Sequence, residues 1–550
     1  MNWVEETFQK MTLEQKVGQL IISRSNFKSS TLEMLRKGWL GGVGSLFIRF
    51  VCGSDANKIV KLTNQIQEES LIPPFFYTDC ENGLPHVFTI GTEFPNNMAV
   101  AATGDPELAY KMGRAIANEA RTLGYDIIAG PVLDINSNPQ NPIIGTRAFA
   151  DTVEVVTEFG KRYVDGVQEE QVIACGKHFP GHGDTDIDSH ISVPVVGKCL
   201  KTLKKKELAP FRTLVDYGMK SVMTSHTYFP ELQTGEEVPV TFSEKAVKKL
   251  LIGSWKFKGL VISDSLSMNA ITSDYSVEEA AVLSVKAGND LLLQDYNTDP
   301  MVTFNGLLNA VKDGRLDEKE DIDKKVLKIL QAKEWCNIRT KPLLREKTIE
   351  DLNKNKFHQM LSAEIAEKSV TVLENRAMPI PAKQEILVIS TRNDEDLGST
   401  CDLGTIISPK SIVLYEYLKE YNENTAITTI SENPGEEEKK RILQLSKKFK
   451  HVIVTNYIRI ISYKQGSGTI PDSQIDFIER LAKQNRSVTN LIFGNPYVIA
   501  RLPKTANVIA AYSDCNYSIK AAVDILFGTK KPKGKLPVKL SRKYERGYGL

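Results

Sequence analysis

Residues 176–190 read Gly-Lys-His-Phe-Pro-Gly-His-Gly-Asp-Thr-Asp-Ile-Asp-Ser-His, and they hold three of the chain's seven histidines. Burying so many ionisable groups costs stability and exposing them gains little, so the stretch marks a candidate site. Asp188 and His190 are two residues apart, and in extended chain such residues point the same way. Asp188 can therefore orient and polarise the His190 imidazole, which would shuttle a proton to and from a leaving oxygen. Gly181 and Gly183 allow the segment to bend toward a ligand. Two other readings compete, a divalent-metal site and a plain polar loop. The histidine spacing matches no helical H-x-x-x-H or metal-loop pattern, so neither a metal nor a cofactor is expected.

A second candidate is Asp264, delivered by the apolar run Gly259-Leu260-Val261-Ile262 and set among the small residues Ser263, Ser265 and Ser267. A carboxylate so placed can attack a carbon centre and form a covalent ester. The competing reading is a helix N-cap, a position that Ser and Asp favour. Asp79, Arg147, Lys177 and His178 supply donors and acceptors suited to sugar hydroxyls, and residues 141–147 form a loop of the type that reaches over a site.

Short apolar segments alternate with helical periodicity over the first 300 residues. Strands are expected at 17–22, 42–50, 75–79, 126–135, 173–178, 220–226, 260–264 and 290–294, with helices such as 106–123 and 152–169 between them. Eight strand–helix units are what a (β/α)8 TIM barrel requires. The strands finish at Arg49, Asp79, Asp134, Lys177-His178, His226 and Asp264, which a barrel would gather at one mouth. A doubly wound sheet should open with a glycine-rich loop, and Ser23-Arg24-Ser25-Asn26 is not one. Residues 300–375 read as charged and helical, ending in a helix over 361–375. A second α/β unit follows, with strands at 386–390, 411–415, 451–456, 490–493 and 508–512. The expected domains are 1–335, a connecting segment 336–376, and 377–550.

Hydrophobic residues make up 41% and charged residues 25% of the 550, with a net charge of +2, which gives no push toward nucleic acid or anionic membrane. Basic runs such as Lys204-Lys205-Lys206 sit beside acids and read as solvated faces. None of the seven cysteines forms a C-x-x-C pair, which argues against structural zinc and for reduced thiols. Met1-Asn2-Trp3-Val4-Glu5-Glu6 lacks the basic start and apolar core of a signal peptide, and no window is apolar enough to span a bilayer. The expectation is a cytoplasmic protein, monomer or homodimer, without nucleic-acid or membrane partners.

The Lys-His-Phe-Pro-Gly-His-Gly…Asp-Ser-His stretch resembles the signature of glycoside hydrolase family 3, specifically its β-N-acetylglucosaminidases with an Asp-His acid/base dyad. Residues 11–20, 94–99, 141–149, 223–226, 259–268 and the closing 534–538 resemble the family as well. The resemblance implies that the second unit is an αβα sandwich. It implies Asp264 as nucleophile, His190 as general acid/base and Asp188 as its partner. Asp79, Arg147, Lys177 and His178 match sugar-binding positions, and Arg49 a substrate-contacting arginine. The implied activity is retaining, exo-acting hydrolysis of terminal β-linked N-acetylglucosamine in peptidoglycan- or chitin-derived glycans. Alternatives are phosphorolysis, broader β-glycosidase action and sugar binding without catalysis. Phosphorolysis is open because a histidine acid/base adds no negative charge to repel phosphate. Where the family has Asp-Gln-Glu-Gly-Gly-Arg, this chain has Asp79-Cys80-Glu81-Asn82-Gly83-Leu84-Pro85-His86, so the neighbouring subsite departs from the family pattern.

Overall fold

A computed structural model describes residues 2–235, 237–392, 410–464 and 466–550. Eight short strands make one sheet: β1 (Ile21–Ser23), β2 (Gly42–Gly44), β3 (Phe75–Thr78), β4 (Ile127–Ile128), β5 (Ile173–Phe179), β6 (Ser221–Thr224), β7 (Leu260–Ser263) and β8 (Leu292–Leu293). Consecutive strands pair in parallel, β1 also pairs with β8, and a bridge between Ile262 and Leu291 joins β7 to β8 and closes the ring. Every strand residue is buried, as parallel strands are when helices cover one face and a packed interior the other. The first unit is thus a (β/α)8 barrel.

Three expected strands in the barrel are corrected, and of 126–135 only Ile127–Ile128 is strand, with an isolated bridge from Val132 to Lys177 beyond it. Residues 17–22 split into helix Leu13–Gly18 and β1, because Thr12 and Gln15 form a capping box that starts a helix before the apolar run. Residues 42–50 give only β2, and helix Ser45–Cys52 then follows. A short run that is apolar on every side cannot be told apart as helix or strand by period. Arg49 therefore sits on a helix, where its Nη1 donates to Ser54 Oγ, and not at a strand end.

The second sheet has the order β11-β10-β12-β13-β14-β9. Its strands are β9 (Thr371–Asn375), β10 (Ile386–Arg392), β11 (Thr425–Ser431), β12 (His451–Ile458), β13 (Val488–Gly494) and β14 (Asn507–Ala510). All pairs are parallel except β9 with β14. Leu387, Ile389, Val452 and Val454 enter one core, with Phe477 and Leu481 of helix Asp472–Gln484. Ile386, Val388 and Ile453 enter the other, with Leu414 and Leu418 of helix Lys410–Tyr421. The period-two alternation buries both faces under helices, giving an αβα sandwich. Residues 411–415 are helix, not strand. The helix expected over 361–375 ends at Ser369 and gives way to β9. β11 was not foreseen, because this edge strand is half-exposed and its threonines dilute the apolar signal.

The chain divides between the units in an interleaved way. Met1–Thr92, Tyr110–Ile135 and Val156–Asn355 form the first, and Glu93–Ala109, Asn136–Val155 and Lys356–Leu550 form the second. Met98, Ala99 and Ala102 accordingly lie in the same core as Leu373 and Val508. Ile143, Ile144 and Ala148 pack with Ile460.

In the barrel unit Lys333, on helix Lys324–Trp335, is fully buried and donates to Gln19 Oε1 at 2.7 Å. Gln19 Nε2 in turn donates to the carbonyls of Gly38 and Leu40. Burial pushes the Lys333 ammonium down to about 7, with Lys341 adding repulsion against the pull of Asp126. Between that value and the ordinary lysine range the unfolded chain holds more protons than the folded one, so folding stability rises with pH across this window. Lys333→Met should abolish that slope, measured as Tm at pH 7 and pH 9.5; an unchanged slope would place the pH dependence elsewhere.

Candidate active site

β5 organises the mouth of the barrel. Its register against β6 shifts between Gly176 and Phe179, so one extra residue stands in β5 at Lys177-His178. A bulge re-aims side chains that a regular strand would send to opposite faces. Lys177 and His178, joined by a cis peptide bond, accordingly both reach carboxylates that follow the preceding strands. Lys177, only 3% exposed, pairs through Nζ with Asp79 Oδ1 at 3.2 Å and Glu81 Oε1 at 2.7 Å. His178 Nδ1 donates to Asp134 Oδ2 at 2.7 Å.

Asp134 is wholly buried beyond β4, and it also accepts from the backbone N–H of His178 and, at 2.6 Å, from that of His182. Burial alone would raise its carboxyl, but His178 and His182 hold it below the ordinary range. The same balance governs Asp79, which follows β3: burial raises it, and Lys177, Arg24 and His86 more than offset that.

Asp264 follows β7. Its N–H continues the sheet by donating to the Thr224 carbonyl at 3.1 Å, and one carboxylate oxygen accepts from the N–H of Ser265 at 2.7 Å. Helix Asn269–Thr272 begins later, with Met268 at its cap position, so Asp264 is not a helix cap. Burial works against the ionised form, yet the nearby His226, His178 and His190 and the Ser265 N–H hold the carboxyl far below its ordinary range. Asp264 is thus an anion at any pH near neutrality, the state a nucleophile needs. His226, fully buried, donates from Nε2 to the Ser265 carbonyl at 2.8 Å and so fixes the residue beside it.

Residues 180–199 form an arm over the mouth. His190 Nδ1 lies 2.7 Å from Asp188 Oδ1, and the same oxygen accepts the His190 N–H at 2.9 Å. Asp188 is buried while His190 stays 23% exposed. The Asn269 N–H donates to the His190 carbonyl at 3.3 Å, tying the arm to the segment that carries Asp264. Further along, the Val196 N–H donates to the Tyr228 carbonyl and the Tyr228 N–H to the Pro194 carbonyl. His182, to which the sequence assigned no role, is a brace. Its ring engages Thr185 Oγ1 and Ser189 Oγ, both at 2.9 Å, and burial with repulsion from His178 lowers it to about 4. The three histidine rings of residues 176–190 thus have different partners: Asp134 for His178, Thr185 and Ser189 for His182, and Asp188 for His190. No group of three or more His, Cys, Asp or Glu is disposed to hold a metal ion among the described residues.

Asp79, Lys177, His178, Asp188, His190 and Asp264 therefore all lie on the ends of barrel strands or on the arm. Arg147 belongs to the other compact unit, in a turn at Gly145–Arg147, where its Nη1 donates to the Ile143 carbonyl at 2.9 Å. Sequence reasoning missed two groups. Glu81 shares Lys177 with Asp79, and its two-residue spacing from Asp79 was the available signal. Asp134 was noted as a strand end, but its hold on both His178 and His182 depends on three-dimensional proximity.

Models of the glycosyl hydrolase family 3 N-terminal domain and C-terminal domain match residues 12–332 and 370–548. The chain belongs to this family and is a glycoside hydrolase. A Cellulomonas fimi protein named beta-N-acetylglucosaminidase/beta-glucosidase is 27% identical over 404 residues, covering 71% of this chain and 70% of that one. A Neisseria meningitidis beta-hexosaminidase is 35% identical over 210 residues, 38% of this chain and 56% of its own length. The solved structure of a family 3 beta-N-acetylglucosaminidase from a Paenibacillus species matches 96% of this chain and 99% of its own, with 31% identity and a TM-score of 0.83. A beta-glucoside phosphorylase shares the fold with a TM-score of 0.84 at 22% identity.

Asp134→Asn puts an amide where three donors converge and should cost about 2–3 kcal/mol of stability. With His178 released, kcat/KM on an aryl glycoside should fall at least about tenfold. Thermal unfolding and steady-state kinetics measure the two effects, and a variant matching wild type in both would remove Asp134 from its organising position.

Proposed function

We propose that the protein is a retaining exo-β-N-acetylglucosaminidase acting on terminal β-linked N-acetylglucosamine of peptidoglycan- or chitin-derived glycans. The observation that carries this reading is the pairing of an ionised Asp264 with a hydrogen-bonded Asp188–His190 dyad on an arm tied to the same segment. Asp264 attacks the anomeric carbon as the glycosidic bond breaks, and the glycosyl–Asp264 ester forms. Because Nδ1 faces Asp188, His190 works through Nε2, which gives its proton to the leaving oxygen. The same nitrogen then takes a proton from the water that cleaves the ester, restoring both residues. Asp79, Lys177, His178 and Arg49 bind the sugar in this reading.

The names of the relatives from Cellulomonas fimi and Paenibacillus support the substrate class. All six described cysteines are free thiols and five are buried, which suits a reducing compartment and favours the cytoplasm; Cys401 lies outside the described residues.

On an aryl N-acetylglucosaminide, Asp264→Ala and His190→Ala should each lower kcat by about a thousandfold or more. Proton NMR at early times should show the β-anomer as first product. An α-anomer would sink the retaining mechanism, and undiminished turnover in either variant would sink the residue assignment. Repeating the reaction in phosphate separates hydrolysis from phosphorolysis, since only the latter yields a sugar 1-phosphate.

A further inference from the structure

Arg24 stands directly after β1 at the mouth of the barrel and is only 6% exposed. Its Nη1 is buried with no hydrogen-bond partner among the described residues, and no carboxylate pairs with its guanidinium there. The structure nonetheless makes room for it. A Cβ at Gly44, the last residue of β2, would come within 2.8 Å of Arg24 Cγ. The Tyr296 ring, just past β8, lies 5.8 Å from the guanidinium carbon. A buried cation without hydrogen bonds is costly, and such a group persists in a fold when a ligand completes it.

What ligand chemistry fits follows from Asp79: Arg24 directly follows β1 and Asp79 directly follows β3, on either side of β2, whose last residue Gly44 leaves room for the Arg24 stem, and the two charges act on each other. The hydrogen bonds that Asp79 accepts, from Tyr77 Oη at 3.1 Å and Lys177 Nζ at 3.2 Å, both arrive at Oδ1. Oδ2 therefore keeps acceptor capacity among the described residues. Guanidinium donor and carboxylate acceptor cancel in net charge, so an anionic group would be repelled by Asp79 as much as it is drawn by Arg24. A neutral group that accepts from one and donates to the other satisfies both, and a sugar hydroxyl does this with a single oxygen.

We propose that Arg24 is a further substrate-binding residue, clamping together with Asp79 one hydroxyl of the sugar ring whose bond is cleaved. The hydroxyl proton is directed at Asp79 Oδ2 and its oxygen receives an N–H of Arg24. This assignment rests on the glycosidase reading above and adds a residue that neither the family signature nor the strand-end pattern singled out.

The experiment measures kcat/KM of wild type, Arg24→Met and Arg24→Lys on an aryl β-N-acetylglucosaminide and its 3-, 4- and 6-deoxy analogues. Aryl glucoside and xyloside are included so that a failure of the substrate assignment shows in the wild type itself; the deoxy series is then built on whichever glycoside is cleaved. Arg24→Met should lower kcat/KM on the parent about 10- to 100-fold. One deoxy analogue should already be poor with wild type and lose no more than about twofold further in Arg24→Met, because the contact is gone in both. Arg24→Lys, which keeps the charge without the fork, should lie between. The Tm of Arg24→Met should equal or exceed that of wild type, since an unpaired buried charge has been exchanged for an apolar stem. Equal losses on every analogue, no loss on the parent, or a lowered Tm with uniform losses would each overturn the clamp. Absence of turnover on all three glycosides by wild type would overturn the clamp and the glycosidase reading together.

Discussion

The buried carboxylate of Asp134 is the contact on which the site's geometry hangs. Three donors meet it, from within the bulge in β5 and from just beyond the strand: the ring and N–H of His178, and the N–H of His182 where the chain has left the strand to become the arm. One anion thereby sets the pitch of a strand-end residue and the take-off direction of the segment that ends in His190. A neutral side chain of the same size could not hold three donors in a dry place, because a full negative charge is what makes each bond strong enough to offset burial.

Around Asp264 the problem is opposite in kind. In the proposed role, a carboxylate that attacks carbon must stay ionised while partly withdrawn from water. Among the described residues the structure meets this without a lysine or arginine salt bridge: the Ser265 N–H donates to it, and the electrostatic influence of His226, His178 and His190 favours the anion. A tight ion pair would hold the oxygen lone pairs too strongly for attack, whereas imidazoles and amide dipoles favour the anion and leave its reactive oxygen unclamped. His226 acts one step back, since its bond to the Ser265 carbonyl keeps the adjacent N–H aimed.

Much of this was legible in the chain because barrel strands are apolar and their functional residues cluster at one end. Asp79, Lys177, His178 and Asp264 stand out as strand ends by that rule and the Asp188–His190 pair by its two-residue spacing, while the roles given to all six come from the family resemblance. The rule failed at Arg49, because the apolar run 42–50 carries no period to show where the short strand Gly42-Val43-Gly44 turns into helix. It failed at 411–415 and at β11, where a helix with an apolar stretch and a half-exposed edge strand wear each other's composition. Arg24 escaped notice for a different reason. Its meaning lies in missing partners and in the space left by Gly44, and neither can be seen in one dimension.

The interleaving of the two units has a consequence for how the molecule comes into being. Met98, Ala99, Ile143 and Ile144 are translated within the barrel sequence, yet their packing partners in the sandwich begin more than two hundred residues later. During synthesis a ribosome would release nearly the whole barrel with these apolar segments uncovered. The barrel sequence thus makes a poor autonomous module: cut off at its C-terminal boundary, it would display two apolar segments that the intact chain keeps hidden.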